Sequence, residues 1–520
     1  MGKYRPGYRP CRLLIIGCLL FADVPGAPAA SDETLQFFEE EAQVITASRR
    51  KQSAREAPMS VEVITADEIR ASGALNLWDL MRFRAGMDVL ENRTVEGNRA
   101  VVTVRGIPVD FITNLLVLVD GRSVYNQNTG GVLWEQLPVQ IQDIERIEIV
   151  RGPNAALFGP NAGSGVINII TKEPESPFEI SGSGLAGSMG GDRHLLRTEG
   201  ALEHAVKRFH YRVSYTHRAD DGFPNAGGGR ANDFLFSNKG NFRGSWDASD
   251  RTHLDLFSGA SWDTTGAPSS IAPDGMKQRL RSSFGMAKIT HGLGEDSGIE
   301  VSASGTEQWT TLAPSFTGFP VPAPALDSRY TQYDADILHH FSWLSDRMNS
   351  TWGGSWRQAL VYSDQTYPGA PRQENDTARG YTSHSLKIGE KLTALGAVSI
   401  EHSDLGGWEP AYQVALLDAF SANHLLRISH SLAPSQPQVI NRSLNIVQYT
   451  GVAVMGDPGT ALTQRLWNYE IGYQGDFLAA RLRAETNLYY MHINHQQKVA
   501  IDATRVQYAS ATLCGFEDLR

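Results

Sequence analysis

Ile144 to Lys172 holds the spacing most suggestive of chemistry: four glycines and two prolines lie between an alternating run, Ile147 to Val150, and a β-branched run, Val166 to Ile170. A glycine loop between a strand and a helix can cradle phosphate, because its bare backbone N–H groups converge on an anion. Gly159 to Ser164 has no lysine where such a loop needs one, and no helix-forming sequence follows it. The loop is structural. His339-His340 and His492-Ile493-Asn494-His495 raise the question of a metal. Adjacent residues on a strand point to opposite faces, and neither pair has a carboxylate or third ligand in sequence reach, so neither metal nor cofactor is expected. No zinc-protease motif, nucleophile elbow or phosphate loop is present, and nothing in the sequence points to an enzyme.

The elements that carry these residues belong to an exported chain. Lys3, Arg5, Arg9 and Arg12 precede an apolar run, Leu13 to Ala22, and Ala27-Pro28-Ala29 supplies small residues for cleavage, which reads as a signal peptide over residues 1–29. Lipoprotein processing at Cys18 fits less well, because the apolar run before it is short. The formal charge of −10 includes four leader cations and Asp23, so the mature chain carries −10 − 3 = −13, which argues against a nucleic-acid partner. Cys514 stays alone once Cys11 and Cys18 leave, so no intramolecular disulfide is expected. No stretch beyond the leader has the ~18–20 apolar residues of a spanning helix, so a membrane location would require a barrel.

From residue 30 a polar segment leads to Val44-Ile45-Thr46-Ala47 and the basic cluster Arg49-Arg50-Lys51. Val44 to Ser48 reads either as an edge strand or as a segment that adds to a partner's sheet. Val61, Val63 and Thr65 alternate as a strand; Ala66-Asp67-Glu68 opens a helix ended by Gly73, and a second helix is expected over Leu77 to Phe83 with Asn76 as its cap. Val101 to Val104 leads into Arg105-Gly106, and Leu115 to Val119 into the turn signal Asp120-Gly121. These make a small α+β domain.

Val104-Arg105-Gly106, Leu118-Val119-Asp120-Gly121, Ile144-Glu145-Arg146-Ile147-Glu148, Val150-Arg151-Gly152-Pro153, Leu157-Phe158-Gly159 and Gly165 to Thr171 resemble, in order, the plug domain of TonB-dependent outer-membrane receptors. The resemblance implies a TonB box at Val44, Ile45, Thr46 and Ala47, the segment pulled by an inner-membrane energy-transducing protein. The expected division is residues 30–58 for the box and linker, 59–177 for the plug and 178–520 for a transmembrane barrel.

Residues 178–520 read as barrel without that help. Phe209, Tyr211, Val213 and Tyr215 alternate with polar residues, and the dyad recurs at Leu254, Ile299, Tyr333 and Leu482. Short connections (around 247–251, 291–297, 344–348 and 389–391) alternate with long ones (219–237, 263–280, 307–328, 358–379 and 431–465), as in outer-membrane barrels. Trp246, Trp262, Trp343, Trp352, Trp356 and Tyr490 form a girdle that a soluble sandwich does not need. The fold class expected is mainly β: an α+β plug inside a transmembrane antiparallel β-barrel, with about 16 strands present where a plugged barrel has 22. The chain therefore reads as truncated at its C-terminus, with two unpaired edges that lipid cannot satisfy.

Leu466 to Tyr473 and Gly515-Phe516-Glu517 resemble barrel segments whose glutamates pair with plug arginines, which implies a lock of Arg105 and Arg151 with Glu470 and Glu517. The resemblance also points to ligand contact by Asn92, Glu96, Asn98, Arg99, Asn126, Gln127, Asn128 and Trp134. The implied function is TonB-dependent import of a scarce large ligand, a ferric siderophore or cobalamin type, by a monomer in the lipid of the bacterial outer membrane. The competing expectation is a truncated, non-transporting remnant that binds at the surface.

Overall fold

In the computed structural model, described residues run from 43 to 518 except 92–99, 107–113, 190–192, 224–231, 268–275, 315–325, 368, 440–444, 448–452, 457–461, 479–481 and 499–506. The leader and Asn92, Glu96, Asn98 and Arg99 lie outside them. The inner domain begins with two short strands, β1 (Gln43–Val44) and β2 (Gln52–Ser53), paired antiparallel. After them come β3 (Ser60–Thr65), α1 (Ala66–Ser72), β4 (Met87–Glu91), β5 (Ala100–Val104), β6 (Leu115–Val119), β7 (Arg122–Ser123), β8 (Ile144–Arg151), α2 (Ala155–Phe158) and β9 (Gly165–Thr171).

Local chemistry accounts for these boundaries. Thr65 caps α1 through a capping box with Glu68, and Gly73 ends it at φ 63°, where a side chain would strain the backbone. The expected second helix is instead a 3₁₀ turn, Leu77–Met81, after Asn76. Five residues give too few i→i−4 bonds to hold an α-helix, whereas Leu77, Trp78, Leu80 and Met81 are all buried. The glycine loop joins β8 and β9 as an antiparallel pair with one turn of helix, α2, inside it. A Cβ on Gly165 would lie 2.5 Å from the Val150 carbonyl oxygen, so only glycine lets the two strands meet there. The five-stranded sheet has the order β3-β8-β9-β6-β7, and one face covers a core that includes Ile64, Leu115, Val117, Ile147, Ile149 and Ile167.

A second sheet surrounds this domain. It contains β10 (Phe178–Met189), β11 (Arg193–Val206), β12 (Phe209–Asp220), β13 (Leu235–Ser249), β14 (Thr252–Ala267), β15 (Met276–Gly294), β16 (Ser297–Pro314) and β17 (Leu326–Trp343). It continues through β18 (Met348–Tyr362), β19 (Arg372–Ile388), β20 (Leu392–Ser403), β21 (Gly407–Ser421) and β22 (His424–Ser435). A side hairpin of β23 (Asn445–Val447) and β24 (Ala453–Gly456) then precedes β25 (Gln464–Phe477), β26 (Leu482–Lys498) and β27 (Gln507–Asp518). Sixteen strands pair antiparallel in chain order apart from that hairpin, which matches the count expected from the alternation. β10 and β27 are the two edges of the sheet, which is not closed. For β27 only the backbone is described.

The expected long connections are shorter than the sequence suggested: β18 ends at Tyr362 and β19 starts at Arg372, well inside the stretch 358–379. Strand ends rich in Thr, Gln, Asp and Arg lack the apolar alternation that marks the middle of a strand, so they read as loop. The period-two faces are clear elsewhere. Trp246, Trp262, Trp343, Trp352, Trp356 and Tyr490 are all exposed on the outer face, while Ser214, Gln278, Gln332 and Asn468 are buried against the inner domain.

Candidate functional site

The segment Val44 to Arg49 sits at the centre of the inner contacts. Val44 and Ala47 are buried in a cluster with Leu116, Tyr125, Val150 and Val166. One carboxylate holds the backbone here. Glu148 Oε2 accepts from Ile45 N at 2.9 Å, Thr46 N at 2.8 Å and Thr46 Oγ1 at 2.6 Å. Asn168 Nδ2 donates to Thr46 Oγ1 at 3.2 Å, and Arg146 Nε holds Glu148 Oε1 at 3.0 Å. The edge strand expected over Val44 to Ser48 is shorter than expected: only Val44 lies in a strand, paired with Gln52. Ile45 to Ser48 form a bend and turn packed on their own domain, because Glu148 takes up the Ile45 and Thr46 N–H groups that a ladder would use.

Arg49, at φ 57°, turns the chain out to the wall. Its Nη2 and Nη1 contact Asp336 of β17 at 2.6 and 3.2 Å, Nη1 donates to Tyr381 Oη at 2.6 Å, and the guanidinium lies 5.0 Å from the Tyr381 ring centroid. Burial alone would lower the Arg49 pKa, but the Asp336 carboxylate overcomes it and raises the group above its ordinary value. The sequence showed only a basic cluster here; its partner is 287 residues away.

Between this segment and the wall lies a cavity of about 910 Å³, lined on one side by Gln43, Ile45 and Thr46 and on the other by Asp336, Arg357 and Arg379. Arg122 of β7 reaches it with Nη1 2.9 Å from Thr306 Oγ1 and its guanidinium 3.9 Å from the Phe284 ring centroid. Burial lowers its pKa to about 10. Elsewhere on the cavity's rim Glu173, His253 and Asp255 bring ligand-type atoms within 4.8 Å of one another. Arg243 and Lys288 stand 3.8 and 3.7 Å from Asp255, where a cation would otherwise balance it.

Of the residues expected to lock plug to wall, Arg105 and Glu470 are in contact. Arg105 Nη1 lies 2.8 Å from Glu470 Oε2, with both side chains at 0% exposure, and the guanidinium is 4.3 Å from the Tyr489 ring centroid. Arg427 of β22 stands 3.3 Å from the other Glu470 oxygen. Gly152 at φ 97° makes room: a Cβ there would come within 3.0 Å of Arg105 Nη1. Among the described residues Arg151 has partners in its own domain. It pairs with Glu62 of its own domain, donates to the Ala85 carbonyl oxygen at 2.8 Å and lies 3.4 Å from Ser60 Oγ. Ser60 in turn donates to Glu485 of β26 at 2.8 Å, so Arg151 meets the wall through a hydroxyl. The Glu517 side chain is outside the described residues. The sequence also missed Asp143, whose Oδ1 accepts from Arg212 Nε and Nη2 at 3.1 and 3.0 Å. Side chains 69 residues apart leave no local trace in the sequence.

Among the described residues expected to touch ligand, Asn126, Gln127 and Asn128 are turned toward protein. Asn126 Nδ2 donates to Gln308, Gln127 Oε1 accepts from Asn375, and Asn128 Oδ1 accepts from Tyr367, each at 2.8 Å or less. All three are buried. Trp134 is 3% exposed within the inner domain's core, so it supports that core instead of lining an outer surface. His339 packs on Phe341 and Trp352 among the outer aromatics.

The family model for the TonB-dependent Receptor Plug Domain matches residues 53–166. These residues are a TonB-dependent receptor plug domain. Relatives include a vitamin B12 transporter BtuB from Vibrio vulnificus, 39% identical over 134 residues, which is 26% of this chain and 21% of that protein. The ferric enterobactin receptor PirA from Pseudomonas aeruginosa is 30% identical over 190 residues, 33% of this chain and 25% of that protein. The matched stretches thus span about a quarter or less of those relatives' length. The fold likeness extends much further than the plug. The crystal structure of the siderophore receptor PirA from Pseudomonas aeruginosa aligns with a TM-score of 0.72 at 16% identity, covering 88% of this chain and 81% of that one. A ferric enterobactin receptor (PfeA) mutant from the same organism gives 0.75 at 17% identity, with coverage of 92% and 79%. Plug and surrounding barrel sheet therefore share the architecture of those receptors.

Proposed function

We propose that the chain takes part in TonB-dependent import of a scarce large ligand, of ferric siderophore or cobalamin type, across the bacterial outer membrane. The observation that carries this reading is the placement of Val44 to Ala47. The segment lies on the plug, held through one carboxylate, at the edge of a cavity that runs between plug and barrel wall. Such a segment can be withdrawn without first dismantling the plug core, and its withdrawal removes part of the cavity's wall. Val44, Ile45, Thr46 and Ala47 are the TonB box in this reading, and a TonB-type protein is the partner that pulls on it. Arg105 and Arg151 with Glu470 and Glu517 are the lock that keeps the plug seated in this reading, and Arg105–Glu470 is the pair in direct contact among the described residues. The named ligands of the relatives, vitamin B12 and enterobactin, support the ligand class.

Ile45→Pro tests the box. Proline removes the N–H that Glu148 accepts and cannot add to a partner's sheet edge. In cells that depend on this gene, ligand binding at the surface should persist while growth under iron or cobalamin limitation is lost. Growth equal to the unaltered chain would overturn the reading.

A further inference from the structure

The corner of the plug at α2 meets the wall in a way that seating alone does not require. Ala155 packs against Ala411 and Ala433, and Leu157 against Leu338 and Tyr381. Ser435 Oγ donates to Asn161 Oδ1 at 3.1 Å, and the Arg49 guanidinium lies 5.6 Å from the Phe158 ring centroid. Gly159 follows α2 at φ 84°, in the left-handed region that favours glycine. A Cβ added there would come 2.9 Å from Glu401 Oε2 and 3.1 Å from Arg379 Nη1, so the bare backbone of the plug stands between these two wall side chains.

Arg379 of β19 and Glu401 of β20 are directly opposed in the register, and both are buried. Directly opposed side chains have Cβ atoms about 4.5–5.5 Å apart, which puts a guanidinium and a carboxylate well within reach of one another. Three other opposed pairs on the same sheet use that reach. Arg357 Nε lies 2.6 Å from Asp334, Arg212 Nη1 lies 3.2 Å from Glu203, and Lys288 Nζ lies 3.7 Å from Asp255. Arg379 and Glu401 are not in such contact. Arg379 Nη1 has no hydrogen-bond partner among the described residues, its Nε donates to Ser355 Oγ at 3.2 Å, and Glu401 Oε1 accepts from Gln436 Nε2 at 2.9 Å. On its other side Glu401 faces Glu409, a like charge that Arg465 holds at 3.2 Å, so Arg379 is the cation that the register offers it.

We infer that the plug corner holds this pair apart, and that Arg379 and Glu401 close on each other once Gly159 moves out, which lowers the work of displacing the corner and opposes its return. Two charges kept apart in a buried place are costly, and direct contact between them recovers part of that cost. Arg49 sets the order of events. Withdrawal of Val44 to Arg49 strips its guanidinium from Phe158 and Tyr381, the corner loses one of its covers, and the ion pair forms behind it. Reseating must then break the pair. The role of the pair in import rests on the reading of Val44 to Ala47 as the segment that is pulled.

The test uses the purified full chain in neutral detergent and reads hydrogen exchange at Leu157, Phe158 and Gly159, whose N–H groups donate to the Asn154 and Ala155 carbonyls while the corner is formed. Arg379→Gln and Glu401→Gln should each slow exchange there about fivefold, the worth of a partly exposed ion pair, and the double variant should slow it no further than either alone. Arg379→Glu/Glu401→Arg should restore the original rate, which a merely structural role for either side chain would not do. Gly159→Ala should quicken exchange, since its methyl group meets both charged groups. Single variants that exchange faster or at an unchanged rate, additive slowing in the double variant, or a swap that restores nothing overturns the proposal, and the swap decides the matter where a single variant loses its fold. The readout needs neither ligand nor an energy-transducing partner. Growth that is indifferent to Ile45→Pro would therefore overturn the import reading and leave the pair standing, whereas unaltered exchange with that growth defect intact overturns this proposal alone.

Discussion

Glu470 and Asp336 illustrate how differently two carboxylates on one wall act. Glu470 is fully buried and faces Arg105 and Arg427, so removing it leaves guanidinium charge in a place water does not reach. Glu470→Ala should cost about 3–5 kcal/mol, read as faster hydrogen exchange across β5 and β8, and unchanged exchange would dismiss the lock. Asp336 is 18% exposed and Arg49 16%, so their pair is screened in part. Asp336→Asn should cost about 1 kcal/mol and raise the exposed fraction of the Val44 to Ala47 segment about fivefold, seen as thiol labelling of an Ala47→Cys variant, at a position 1% exposed in the seated segment. These residues also mark the limit of what the sequence disclosed. Arg105 and Glu470 were legible because each sits in a motif resembling a known one. Arg49 and Asp336 belong to no such motif, and side chains joined across 287 residues leave no local trace.

At the level of elements, the turn that follows β1 is linked to β8 through Glu148 and not through a sheet ladder. Glu148→Gln keeps the shape but replaces an ionised acceptor of three hydrogen bonds with a neutral one. Charge-assisted bonds are roughly twice as strong as neutral ones, so the box should label severalfold faster while the core of β3, β8 and β9 keeps its protection. Asp143 links the plug to β12 in another way. Burial pushes its carboxyl pKa up despite the opposing Ser214 and Arg212 contacts. A carboxyl with a raised folded-state pKa contributes stability that is complete below its unfolded value, about 4, and is lost as pH rises through the folded value. Plug docking, followed by denaturant midpoint, should therefore weaken as pH rises above about 4, and Asp143→Asn should flatten that slope. Strands and turns were readable from the sequence because alternation and turn residues act over a few positions. Strand ends were misplaced because polar tips carry no such signal, and Trp134 was misassigned because loop composition does not report burial.

Across the whole molecule, the plug's contacts are spread around the wall. From β17, which carries Asp336, to β25, which carries Glu470, the sheet crosses six strand intervals, about 29 Å at ~4.8 Å each. Sites that far apart with no shared partner contribute independently. The Asp336→Asn/Glu470→Ala double variant should therefore equal the sum of the single changes within about 0.5 kcal/mol, by denaturant titration; a larger coupling would mean that the plug moves as one rigid unit.

The pairing of β1 with β2 also has a mechanical meaning. The two strands form a hairpin of two residue pairs, Gln43 with Ser53 and Val44 with Gln52, and Arg49 tethers its bend to the wall. Tension applied upstream of Gln43 loads the first pair before the second, then the Glu148 contacts, then Arg49. The bonds part in sequence, as in a zipper, so the peak force is set by the strongest single contact and not by their sum. Arg49, the last of them, sets how far the chain must be drawn out before the load reaches the plug's core.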